Sequence, residues 1–423
     1  LRRPISCKSP PMFGDHGAYL SDWPLESVCA FVPAQSLGQL PALCRAACVD
    51  VKAVRPWLDV LITRDNHVCL SAVERGGFFR VRSVHFASEL QLSSVRHLER
   101  CPFLLKLQLD KCHQLGDIEV LGALKDVQDL DLQGCEQVAD LAPLFHCRSL
   151  QRLRLTELDR ITELSSLAGC TDLESLELIC CSNLFDVSAL ASLPRLRQLT
   201  LSDCAALTDL EPVSLLPQLH RLDLSYTSIC SDLSPLAHCK ELTELDLSGS
   251  RRLTSLSSLS QCTSLRVLRL ARCGLLTDLA PLALCTNLQT LALQRCVHLS
   301  DLSPLASCAS LEVLNVSRCS RLTDVSPLAK CRALKELCLS WCHALVDVTA
   351  LASCEALQIL DLSLCQQVSN VDAFVSCAAL RTLNLTGCCR LTSVSSLESR
   401  ADLEVHFTDM KPSSKKVDSM PVF

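Results

Sequence analysis

Cysteine is the residue type in this chain with the greatest capacity for chemistry, at 29 of 423 residues. Thiolates ligate soft metals, act as nucleophiles and pair as disulfides, and their spacing decides among these. Two registers hold twenty of them. Cys112, Cys135, Cys181, Cys204, Cys273, Cys296, Cys319, Cys342, Cys365 and Cys388 lie 23 residues, or multiples of 23, apart. Cys101, Cys147, Cys170, Cys239, Cys262, Cys285, Cys308, Cys331, Cys354 and Cys377 follow the same step. Leu158, Thr227 and Ser250 stand at skipped places of the first register, and Leu124, Leu193 and Leu216 at those of the second. Exchange with Leu, Thr and Ser fits columns of small buried thiols and not a metal cage. An odd total does not suit a full disulfide framework, and so many unpaired thiols predict a reducing compartment, cytoplasm or nucleus. Cys44 and Cys48 with His67 and Cys69 could be drawn as a zinc site, but their spacing is irregular.

A third register carries Asp117, Asp140, Asp186, Asp209, Asp232, Asp278, Asp301, Asp324 and Asp347, with Glu163, Ser255, Asn370 and Ser393 elsewhere in it. Repeated carboxylates suggest calcium, but all four residue types accept hydrogen bonds from nearby backbone, so a turn role is expected. No phosphate-binding loop, nucleophile elbow, dinucleotide-binding glycine pattern or H-E-x-x-H motif is present, and a non-enzymatic protein with no cofactor is expected. Asn315-Val316-Ser317 and Asn384-Leu385-Thr386 match the glycosylation triplet, but both fall where strand centres are predicted. Lys and Arg total 40 against 46 Asp and Glu, a net charge of -6 that disfavours a general nucleic-acid binder. No apolar run is long enough to span a membrane. The start, Leu1-Arg2-Arg3-Pro4-Ile5, lacks the apolar stretch of a signal peptide.

The elements that position these residues repeat. Leu104, Val127, Leu150, Leu173, Leu196, Leu219, Leu242, Leu265, Leu288, Leu311, Leu334, Leu357, Leu380 and Leu403 open similar segments at a constant step of 23 residues. One step back falls on Val81. A representative unit runs from Leu288 through Leu291, Leu293, Cys296, Leu299, Leu302 and Leu305 to Cys308. Counting the opening residue as position one, the pattern is L-x-x-L-x-L-x-x-C-x-x-L-x-D-L-x-P-L-x-x-C. It resembles the leucine-rich-repeat signature, and the resemblance implies an α/β solenoid. Each unit then adds one short parallel strand, and Leu291 and Leu293 point inward on either side of Ala292. Ser303-Pro304-Leu305-Ala306 predicts a short 3₁₀ or single helical turn on the convex side, with the Ser303 hydroxyl capping it. That segment is similar to the convex turns of internalin-type repeats.

Four regions follow: a loose lead over 1–20, a helical cap over 21–80, about fifteen repeats over 81–408, and a flexible tail over 409–423. Apolar residues at helical spacing run through Trp23–Val32, then Leu37, Leu40, Leu43 and Ala47, then Val54, Leu58, Leu61 and Ile62. Pro24, Leu25, Val28, Phe31, Leu37, Leu40 and Leu43 resemble an F-box, the helical module that docks on the Skp1 subunit of cullin ubiquitin ligases. The resemblance implies a substrate-recognition subunit that binds Skp1 through residues 21–62. A plain helical cap over the first repeat's open edge satisfies the same pattern.

Outward-facing strand residues would form the binding surface. One column reads Arg272, Arg295, Arg318, Trp341 and Leu364, and beside it lie Val267, Arg269, Val313 and Ile359. Exposed Arg, Trp and aliphatic residues together are the mix enriched at interface hot spots. The first half offers mixed charge, with Asp223 and Asp246 beside Arg221. The expected function is a scaffold that holds a protein partner on the concave face, with an acidic or phosphorylated segment suited to the arginines. The alternative is a secreted or cell-surface recognition protein.

Overall fold

A computed structural model describes residues 58–62, 81–86, 92–227, 232–391 and 393–407, all within the unit running from Ala53 to Phe423. The residues that carry the F-box resemblance, the lead and the tail lie outside the described residues. Among those described, sixteen strands form one parallel sheet in chain order. They are β1 (Leu58–Ile62), β2 (Val81–Phe86), β3 (Lys106–Gln108), β4 (Asp129–Asp131), β5 (Arg152–Thr156), β6 (Ser175–Ile179), β7 (Gln198–Ser202) and β8 (Arg221–Asp223). They continue with β9 (Glu244–Asp246), β10 (Val267–Arg269), β11 (Thr290–Ala292), β12 (Val313–Asn315), β13 (Glu336–Cys338), β14 (Ile359–Asp361), β15 (Thr382–Asn384) and β16 (Glu404–His406).

Register follows the repeat, so that Leu268 pairs with Leu291 and Leu291 with Leu314. Leu291 and Leu293 are fully buried, and Ala292 between them faces out, as the alternation requires. No unit closes a core alone; each strand's leucines are covered by those of its neighbours. This is a leucine-rich-repeat solenoid.

Both ends of the ladder differ from the sequence expectation. The stretch read as a third helix contains β1, which pairs in parallel with β2. Leu58 lies one 23-residue step before Val81 and pairs with it, and the register shifts after that pair. A short apolar run such as Leu58-Asp59-Val60-Leu61-Ile62 fits either period, and the available partner strand decides. At the other end Asn384 pairs with His406, a step of 22 and not 23. A one-residue deletion is tolerated there because no further strand among the described residues must match it.

Across from the sheet, thirteen 3₁₀ turns of five residues each replace full helices among the described residues. Their first backbone donors are met from the aspartate register: Asp301 accepts the Ser303 N–H at 2.7 Å and Asp140 the Ala142 N–H at 2.7 Å. All nine aspartates do this, and Asn370, Ser255 and Ser393 do the same. The carboxylate two residues upstream is therefore the cap. The Ser303 hydroxyl expected in that role instead donates to Asp301.

The thiol columns close the other end of each turn. Cys308 donates its S–H to the Leu282 carbonyl at 3.5 Å, and Leu282 also accepts the Cys285 N–H at 2.9 Å. In the first register Cys296 donates to the Leu270 carbonyl at 3.2 Å. In both cases the acceptor lies 26 residues before the thiol, so where these thiols are present a unit is capped by its successor. The longer reach of sulfur suits this. The Thr227 hydroxyl turns back to Leu224 in its own unit, and the buried Ser250 hydroxyl has no hydrogen-bond partner among the described residues. Where the next cysteine of the second register would fall stands Arg400, whose guanidinium donates to the carbonyls of Phe374, Cys377 and Leu380. It closes the ladder with charge-assisted bonds in place of a thiol.

Candidate functional site: the strand face and its rim

The column Arg272, Arg295, Arg318, Trp341 and Leu364 does not lie in the strands. These residues follow the strand ends by three positions, and each has a left-handed backbone, with φ between 61° and 64°. The same slot holds Lys111, Glu157, Cys180, Asp203 and Tyr226, and three glycines, Gly134, Gly249 and Gly387. A side chain in this region costs roughly 1–2 kcal/mol. What holds it there is a further rung of the interstrand ladder. Arg295 donates its N–H to the Ser317 carbonyl at 2.8 Å, Arg318 to Ser340 at 2.8 Å, and Trp341 to Ser363 at 2.8 Å. Just before it, an Asp or Asn at position five accepts the N–H two residues on, as Asn315 does from Ser317 and Asp361 from Ser363. Asp223 and Asp246, expected as part of a mixed-charge surface beside Arg221, are used in this way too, as is Asn384, and both triplet asparagines stand at strand ends and not strand centres.

The structure therefore divides the predicted site in two. Val267, Val313 and Ile359 form a column at position three, interleaved with Thr290 and Glu336, and Arg269 stands at position five. Arg272, Arg295, Arg318, Trp341 and Leu364 form a rim along the strand ends. Arg269, Arg272, Arg295 and Arg318 are exposed. Arg318 places its guanidinium carbon 4.4 Å from the Trp341 ring centroid, a cation–π contact, and His343 meets the ring edge at 5.7 Å. Trp341 is thus half-buried between two side chains. The Leu364 side chain leans over Gly387, where an added Cβ would meet it at 2.7 Å.

Sequence reasoning gives the first half mixed charge but misses the cross-strand pairing on β3–β6. There Arg154 pairs with Asp131 at 2.8 Å and Glu177 at 3.1 Å, and Asp129 takes Arg152 at 3.2 Å and Lys106 at 3.5 Å. These residues line a shallow recess together with Gln108 and Ser175. The signal was present: opposite charges at positions three and five stand one step apart, hence on neighbouring strands.

Burial pushes the thiols of Cys285, Cys296 and Cys342 up to about 12, so these stay protonated, able to donate and poor as nucleophiles. Among the described residues no cysteine forms a disulfide, no group of His, Cys, Asp and Glu is arranged to hold a metal ion, and no helix is long and apolar enough to cross a membrane.

A family model described as leucine rich repeats, in two copies, matches residues 240–284 and 286–330. No curated protein matches the chain. Among solved structures, the chain is similar to an internalin of Listeria monocytogenes, at 22% identity over 76% of this chain and 85% of that one, with a TM-score of 0.56. It is also similar to a leucine-rich-repeat protein of Leptospira interrogans, at 17% identity over 84% and 100% of the two chains, with a TM-score of 0.58. These likenesses agree with the strand ladder and the 3₁₀ turns on a leucine-rich-repeat fold.

Proposed function

We propose that this protein is a non-enzymatic scaffold that holds a protein partner on the strand face of β10–β14 and the rim beside it. The observation that carries this is a set of exposed arginines, Arg272, Arg295 and Arg318, in no ion pair among the described residues, gathered beside Trp341, Val267, Val313 and Ile359 on a surface whose other half pairs its charges internally. The test is capture from native extract by the intact chain and by a variant carrying Val313→Asp and Ile359→Asp. Loss of the captured protein at unchanged melting temperature is expected; retention would refute the assignment of this face.

The narrower form of the proposal is the substrate-recognition subunit of a cullin ubiquitin ligase, docking Skp1 through Pro24, Leu25, Val28, Phe31, Leu37, Leu40 and Leu43. Its support is the sequence resemblance ahead of a repeat array. Purified Skp1 should bind the full chain and not its Leu25→Asp, Phe31→Asp variant; absence of binding to the folded full chain removes the ligase role and leaves the scaffold. A cytoplasmic or nuclear location belongs to the same proposal, supported by twenty thiol positions that fit packing columns. A secreted or surface protein is the alternative. Thiol counting under denaturing conditions separates them, with mostly free thiols expected.

A further inference from the structure

The rim is polarised along its length. In the turns after β9 to β15, residues 248–252, 271–275, 294–298, 317–321, 340–344, 363–367 and 386–390 contain Arg251, Arg252, Arg272, Arg295, Arg318, Arg321 and Arg390, and no Asp or Glu. In the turns after β3 to β7, the equivalent positions contain Asp110, Glu136, Glu157, Asp159 and Asp203 against Lys111 and Arg160. All seven arginines of the basic stretch are exposed. None enters an ion pair among the described residues, whereas Arg152, Arg154 and Arg221 do on the sheet face nearby. Like charges one strand apart repel, and burying them against an acidic surface relieves this.

We infer that the rim from Arg251 to Trp341 is the docking site for an acidic segment of a partner protein in extended conformation, laid across the strand ends. The inference rests on the scaffold reading above and names the chemistry of its partner. Four 23-residue steps separate the units of Arg251 and Trp341. At roughly 4.8 Å per strand the rim is about 20 Å long and matches about six residues of extended chain. The ladder bonds at the left-handed positions fix the Cα atoms of Arg272, Arg295 and Arg318, which lowers the ordering cost of binding. Leu275 and Val297, exposed beside these arginines, supply apolar contact between the charges. Polarity follows: the acidic end of the partner lies toward Trp341 and away from Asp203.

Two other occupants fit less well. A nucleic acid is a continuous polyanion and would run onto Asp203, Glu157 and Asp159. A second copy of this chain would offer its acidic rim, but Asp159 already accepts the Ser182 N–H at 3.2 Å and Glu136 lies 3.1 Å from His113.

The test uses the full chain and a fluorescein-labelled decapeptide of alternating Glu and Ser, followed by anisotropy at low and high salt. A Lys-for-Glu decapeptide and a ten-nucleotide single-stranded DNA serve as comparison probes. The acidic peptide is expected to bind, to weaken with salt, and to lose about tenfold or more in affinity with Arg295→Glu plus Arg318→Glu. Glu157→Lys on the opposite half should leave it unchanged. Arg295→Gln plus Arg318→Gln gives a second, milder variant whose folding is checked by circular dichroism. Equal binding by these variants, tighter binding of the DNA, or a dimer in sedimentation that the peptide competes away would each overturn the inference. If the acidic peptide fails to bind while partner capture still depends on Val313 and Ile359, the scaffold stands and the rim alone is reassigned.

Discussion

On β3–β6, Lys106, Asp129, Asp131, Arg152, Arg154 and Glu177 consume one another's charge across neighbouring strands. On β10–β14 the same outward positions hold Val267, Arg269, Val313 and Ile359; in the adjoining rim Arg318 lies against Trp341, and its arginines enter no ion pair among the described residues. Backbone, register and core are the same in both regions. Their difference is one of surface chemistry, and it separates residues that stabilise the solenoid from those available to something else. Burial alone would not reveal this, because the outward side chains of both regions are mostly half-buried or exposed.

Core substitutions give the largest expected effect and should erase the contrast. Leu153→Ala on β5 and Leu291→Ala on β11 remove fully packed side chains and should each cost about 2–5 kcal/mol in denaturant unfolding. A marked inequality between them would break the claim that both halves share one core. Next in size, Arg154→Ala leaves the buried Asp131 carboxylate without its cation and should cost about 1–2 kcal/mol. Arg295→Ala should leave the melting temperature nearly unchanged and weaken partner binding. Reversal of that pair would exchange the roles assigned to the two halves.

Smaller again is the effect of backbone handedness. Arg295→Gly and Arg295→Ala remove the same guanidinium, but only glycine adopts the observed φ without strain. The glycine variant should therefore be more stable than the alanine variant by about 1 kcal/mol; the opposite order in thermal melts would show that the left-handed rung is not held as described. Smallest in contrast between the halves is pH. The backbone N–H of Glu119 lowers the carboxyl of Asp117, and those of Ser188, Ser234 and Thr349 lower Asp186, Asp232 and Asp347. A depressed folded value means stability that is complete above the ordinary carboxylate range, about pH 4, and is lost as pH falls through the folded values. Hydrogen-exchange protection at the turns, taken relative to the intrinsic rate at each pH, should fall on acidification in both halves alike; protection that stays constant would mean the caps contribute nothing.

The parts legible in the sequence were those that periodicity forces. A fixed step places leucines inward, aspartates at turn entries and thiols in columns, because each must satisfy the same neighbour every time. The left-handed rim was not seen because Arg272, Arg295 and Trp341 look like ordinary strand residues in a row of twos. The clue was Gly134, Gly249 and Gly387 in the same slot. The Asp246 and Asn315 side chains were misassigned for a related reason: a polar residue at a strand end and one facing solvent have the same sequence signature. β1 was hidden because its apolar run is too short to reveal a period.

The 26-residue reach of each thiol carries a consequence for biosynthesis. The carbonyls of Leu282 and Leu305 receive their sulfur donors only from Cys308 and Cys331, one unit later. A chain that folds in the direction of synthesis completes these bonds one unit behind its newest segment. At Phe374, Cys377 and Leu380 that wait ends with Arg400, whose guanidinium brings the donors from the last described unit.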